Sequence, residues 1–69
     1  MIDTGRTGQK CYSAIRSLFK SQREMSEALG VTQQAVCHWK RGLRMPSIDN
    51  IELIAEMTGK TLDELVVRN

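Results

Sequence analysis

Apolar residues along the chain recur at helical spacing. Cys11, Ala14, Ile15, Leu18 and Phe19 stand at offsets of 3, 4, 7 and 8, which predicts a helix over residues 10–19. Ser21 with Glu24 spells a capping box, so a second helix spans 22–29 and stops at Gly30. Thr32 caps a third helix over 33 to 40 or 41, which Gly42 ends. Ser47, after the only proline, caps a fourth over 48–57 with Ile48, Ile51, Leu53, Ile54, Ala55 and Met57 for the core. Thr58 and Gly59 stop it. Thr61 with Glu64 forms a second capping box and opens a fifth helix over 62–67, although β-branched Val66 and Val67 also suit a short strand. Residues 1–9 hold two Gly and two Thr and little that packs. They read as a flexible N-terminal arm, either idle or laid along a polyanion through Arg6 and Lys10. The fold class is all-α: a compact five-helix domain over residues 10–69.

The second and third helices carry the chemistry. Met25 and Leu29, Val31 in the turn, and Val36 and Trp39 point inward. Small Ser26 stands where the axes approach, and Gly30 accepts the left-handed turn. Such a pair is a helix-turn-helix. Its second helix turns Gln33, Gln34, Cys37 and His38 outward. A glutamine amide both donates and accepts, so it can bond adenine N6 and N7 together. Gln33 and Gln34 are the expected base contacts, with His38 and Cys37 further along; for Cys37 the spacing favours a half-buried structural residue over contact with a thymine methyl. Arg23, Thr32, Lys40, Arg41 and Arg44 are the expected phosphate contacts, which add affinity without reading sequence.

Charge sharpens this picture. The net charge of the 69 residues is only +2. Residues 1–44 carry eight Lys/Arg against three acids, a net +5, and residues 45–69 two against five, a net −3. One end can face a polyanion while the other is repelled by it. Composition argues against catalysis. There is one histidine, no phosphate-binding glycine loop and no metal spacing, and neighbouring Cys37 and His38 diverge by about 100° on a helix. No cofactor, metal or small-molecule ligand is expected. No apolar run approaches the roughly 18 residues of a membrane span. Two distant cysteines without a disulfide framework suit a reducing cytoplasm.

The runs SQREMSEALGVTQQAVCHWKRG, MPS and TLDEL resemble the phage repressor and Cro group of helix-turn-helix proteins, from about residue 15 to 65. The resemblance implies a lambda-repressor-like fold and transcriptional regulation by symmetric dimers on operator DNA. It implies base contacts for Gln33 and Gln34 and a phosphate hydrogen bond for Gln22. Two departures are Ser26, where the group mostly has Ala, and the short junction at 19–21.

A recognition helix of about eight residues is roughly 12 Å long and reads few base pairs, so two copies on half-sites one turn apart are expected. Leu62, Leu65, Val66 and Val67 are the expected pairing surface. The rival reading is a protein-interaction module or antitoxin-type autorepressor on the same fold.

Overall fold

The computed structural model describes residues 1–69. Five helices follow in order: α1 (Thr4–Ile15), α2 (Gln22–Leu29), α3 (Gln33–Arg41), α4 (Ile48–Thr58) and α5 (Leu62–Leu65), with a 3-10 turn at Arg16–Leu18 between the first two. Each helix starts on a side-chain cap. The oxygens of Asp3, Ser21, Thr32, Ser47 and Thr61 each accept the backbone N–H three residues on, satisfying one amide that no preceding turn serves. At Thr61 the reciprocal bond is also made, because the Glu64 carboxylate accepts the Thr61 N–H at 3.0 Å. That backbone bond, followed by one from the Thr61 hydroxyl, holds the Glu64 carboxyl below its ordinary range. The cap is therefore intact above the usual carboxylate range and lost as pH falls through the lowered value. At Ser21 only half the predicted box forms: Ser21 Oγ accepts Glu24 N at 3.1 Å.

Glycine ends the two central helices. Gly30 and Gly42 take φ of 68° and 75°, and the residues after them bond back, Val31 N–H to Ser26 O and Leu43 N–H to His38 O. The left-handed closure at Gly30 turns the chain from α2 into α3, and the one at Gly42 turns it out of α3. Cys11, Ile15, Met25, Leu29, Val36, Trp39, Ile51, Ile54 and Leu65 form one buried cluster, with α1 lying across α3 and α4. Buried Ser26 donates its hydroxyl to Arg23 O at 2.7 Å, so the departure from Ala leaves no polar atom unpaired.

The start of the chain differs from expectation. Residues 4–9, expected as a loose arm, are the first half of α1, which begins six residues earlier than the apolar spacing indicated. Asp3 caps it, and Arg6 pairs back to the Asp3 carboxylate at 3.7 Å. Its glycines serve contact. A Cβ on Gly8 would overlap the Arg44 carbonyl oxygen and lie 3.3 Å from Met45 Cα, and one on Gly5 would lie 2.5 Å from Gly42 O. Gly5 and Gly8, one turn apart, thus make a notch that receives the loop between α3 and α4 directly against helix backbone.

Both ends of the chain are joined. Fully buried Thr7 accepts Val67 N–H at 3.0 Å and donates to Val67 O at 3.4 Å. Asp3 N–H bonds Val67 O, Asn69 N–H bonds Met1 O, and Ile2 and Arg68 form a single antiparallel bridge. The helix expected through 67 therefore stops at Leu65, with Val66 extended. The first helix likewise stops at Ile15 rather than near residue 19. The 3-10 turn then swings Leu18 out to 50% exposure and returns Phe19 to the core edge. Ile48 and Met57, assigned to the core from spacing, are also exposed, because they sit at the two ends of α4.

Candidate nucleic-acid interface

Helix α3 presents its chemistry by elimination. Val36 and Trp39 are buried to within 3% of complete, so the residues opposite them face outward. Gln33 and Gln34 are exposed, and Cys37 and His38 are half-exposed. At about 100° per residue, Gln34, Arg41, His38 and Cys37 form the outermost ridge. Gln33 and Lys40 stand together on one flank of that ridge. Helix α3 carries no carboxylate. Thr32 accepts Ala35 N–H at 3.0 Å, so its oxygen fixes the helix start while its hydroxyl proton remains free to donate.

The predicted phosphate ligands fall into two groups. Arg44 shares a hollow of about 320 Å³ with Thr32, Gln34 and His38. Its position depends on the loop held by the Gly5 and Gly8 notch, a link to α1 that local spacing does not carry. Lys40 and Gln22 share a second hollow, of about 310 Å³, with Tyr12, Arg16 and Lys20. Gln22 Nε2 donates to the Tyr12 hydroxyl at 3.4 Å. Tyr12, Arg16 and Lys20 had no place in the motif read from sequence, because they enter from α1 and the segment that follows it. Arg41 is exposed on the ridge. Arg23 is also exposed, but its guanidinium lies 3.9 Å from Glu27, so a phosphate must compete with that carboxylate.

The expected pairing surface is only partly at the surface. Leu65 is fully buried and belongs to this chain's own core. Val66 and Val67 are half-buried, and the Val67 backbone is occupied by Thr7 and Asp3. Leu62, at 45% exposure, is the freest of the four.

The two cysteines differ in exposure. Burial pushes the Cys11 thiol up to about 11 from an ordinary 9.0, whereas Cys37 lies half-exposed on α3. One thiol is expected to react rapidly in the native protein and the other only on unfolding. Peptide mapping after limited alkylation should find Cys37 labelled and Cys11 intact. The raised Cys11 value also sets a sign for alkaline stability. Its contribution is full below the ordinary thiol range and lost as pH climbs from about 9 toward about 11, because only the unfolded chain ionises there.

A bihelical unit locked by a glycine turn, with an acid-free polar ridge between basic hollows, defines a helix-turn-helix DNA-binding domain. The helix-turn-helix family profile matches residues 15–65, about three-quarters of the chain, and the protein belongs to that family. It is a DNA-binding transcription regulator with the lambda-repressor-like helix-turn-helix fold, and its partner is double-stranded DNA. Domains of this family are regulatory and not typically enzymatic. No curated protein and no solved structure matched the chain. No helix is long and apolar enough to cross a membrane.

Proposed function

We propose that the protein is a Cro-like repressor that reads a pseudo-palindromic operator as a dimer, with α3 in the major groove. Gln33 and Gln34 contact bases, with His38 and Cys37 beside them. Gln22, Arg23, Thr32, Lys40, Arg41 and Arg44 hold phosphates. One observation carries this reading above the others: the α3 ridge is free of carboxylates and has cations on both flanks, including Lys40 on one side and Arg44 on the other. A polar rod of this kind suits a groove about 12 Å wide between two charged backbones.

Dimerisation extends the reading to a full operator, since one α3 spans too few base pairs to select a site alone. Leu62 supplies exposed apolar surface at the acidic end of the chain, with Val66 and Val67 beside it in sequence. Leu65 is removed from this surface and is kept for the core. Sedimentation on operator DNA is expected to show two protomers per duplex, with Leu62→Lys reducing that to one. A strict monomer, both free and on DNA, would remove the dimer from the account.

A further inference from the structure

The first half of α1 lacks the means to hold itself as a helix. Residues 4–9, TGRTGQ, carry two glycines, two threonines and no hydrophobic side chain. Glycine and threonine are poor helix formers, and so short a run does not stay helical alone in water. Two distant segments brace it. The backbone of the loop at 42–45 lies against Gly5 and Gly8. The second brace is Val67, which meets Asp3 and Thr7. Thr7 is fully buried, and its hydroxyl serves both the N–H and the carbonyl of Val67. The Val67 carbonyl also accepts Asp3 N–H at 2.7 Å, so the residue that caps α1 is itself held in place. Asn69 N–H bonds Met1 O at 2.9 Å and lengthens this clasp. Just before it, Leu65 is anchored in the core.

We propose that residues 67–69 are a strap that governs DNA affinity from a distance. Docked on Asp3 and Thr7, the strap keeps residues 4–9 helical. Those residues hold the loop that carries Arg44 into the hollow it shares with Thr32, Gln34 and His38. Released, the strap leaves the helix start with one brace, and Arg44 loses its fixed place beside α3. The two states are the helical and frayed forms of residues 4–9, and strap and duplex both favour the helical one. The coupling is reciprocal: a duplex held by Arg44 tightens the strap by the factor by which the strap tightens the duplex. A partner that pairs with the backbone of 67–69 would therefore weaken DNA binding without touching α3. The inference rests on the reading that Arg44 holds a phosphate.

Amide hydrogen exchange and binding to a random-sequence duplex at fixed salt test it together. Thr7→Val keeps the shape of the side chain and removes its hydroxyl, so both bonds to Val67 are lost. Exchange at Gly42 and Leu43 should quicken on the order of tenfold, as expected of a local opening. Ile54→Val, which thins the core away from the strap, should leave these two amides close to wild type. Thr7→Ser, which keeps the hydroxyl, should do the same. Thr7→Val should weaken duplex binding a few-fold, and should add no loss to a protein already carrying Arg44→Gln. In the unsubstituted protein, saturating duplex should slow exchange of the Val67 amide by a similar few-fold, a readout that needs no variant to fold. Unchanged exchange at Gly42 and Leu43 in Thr7→Val, an equal change in Ile54→Val, equal binding losses with and without Arg44, or no slowing at Val67 would each overturn the strap. Wild-type affinity in Arg44→Gln would overturn the phosphate reading of Arg44 and, with it, the strap's control of DNA, while exchange at Gly42 and Leu43 separately decides whether the strap holds the loop.

Discussion

Gly8→Ala is expected to destabilise the protein, although alanine is the better helix former by about 1 kcal/mol. The added methyl would overlap the Arg44 carbonyl oxygen and lie 3.0 Å from its carbonyl carbon. Both are backbone atoms and cannot rotate aside, so either α1 or the loop after α3 must shift. Overpacking of this kind costs about 1–3 kcal/mol and sometimes more. A backbone clash stands at the upper end, leaving a net loss of about 2 kcal/mol after the propensity gain. For a chain of this size that is a large share of a total of roughly 3–10 kcal/mol. The melting temperature should fall by about 10 °C, measured by thermal circular dichroism. Ser13→Ala, at an exposed position of the same helix, should leave it nearly unchanged. A more stable Gly8→Ala protein would mean that the notch is not a packing contact. Because the same loop carries Arg44, the variant should also bind DNA more weakly at temperatures where it remains folded.

The second large effect concerns discrimination. Gln33→Ala combined with Gln34→Ala should reduce the preference for operator over scrambled duplex by about 2–6 kcal/mol, at roughly 1–3 kcal/mol for each bidentate amide–base pair. Near the middle of that range the ratio changes by about a thousandfold. Binding to random duplex should change little, and the salt slope should stay as in wild type, because neither side chain carries charge. Both residues are exposed, so stability should also be preserved. These separate readouts divide the residues by role: the glutamines set the ratio between sequences, and the basic residues set the common affinity. Operator binding left intact by the double substitution would favour a docking role for α3 over base reading.

The parts of this architecture that were legible in the sequence are those governed by local rules. Ser21, Thr32, Ser47 and Thr61 announced their helices because a capping side chain and the amide it meets lie three residues apart. Gly30 and Gly42 marked the helix ends for the same local reason. The exposed face of α3 followed from Val36 and Trp39, whose spacing allows only one side to face the core.

What escaped the sequence depends on distant partners. Gly5 and Gly8 lower helix propensity, and only the loop at 42–45, far along the chain, explains why a helix contains them. Thr7 is buried because Val67, 60 residues away, bonds it in both directions. Leu65 was assigned to a surface because four helical residues carry too little periodicity to tell an inward position from an outward one. In the interface, the ridge was visible, but Tyr12, Arg16 and Lys20 were not, since their approach to Lys40 depends on how α1 crosses α3.

The most direct trial of the central claim is selection of bound duplexes from a random pool, run in parallel with wild type and with the Gln33→Ala, Gln34→Ala protein. The account predicts that wild type enriches a pseudo-palindrome whose half-sites lie about one helical turn apart, roughly 10 base pairs. It further predicts that the substituted protein loses preference at defined positions within each half-site. A wild-type pool without any enriched sequence, or the same enriched sequence from both proteins, would contradict it.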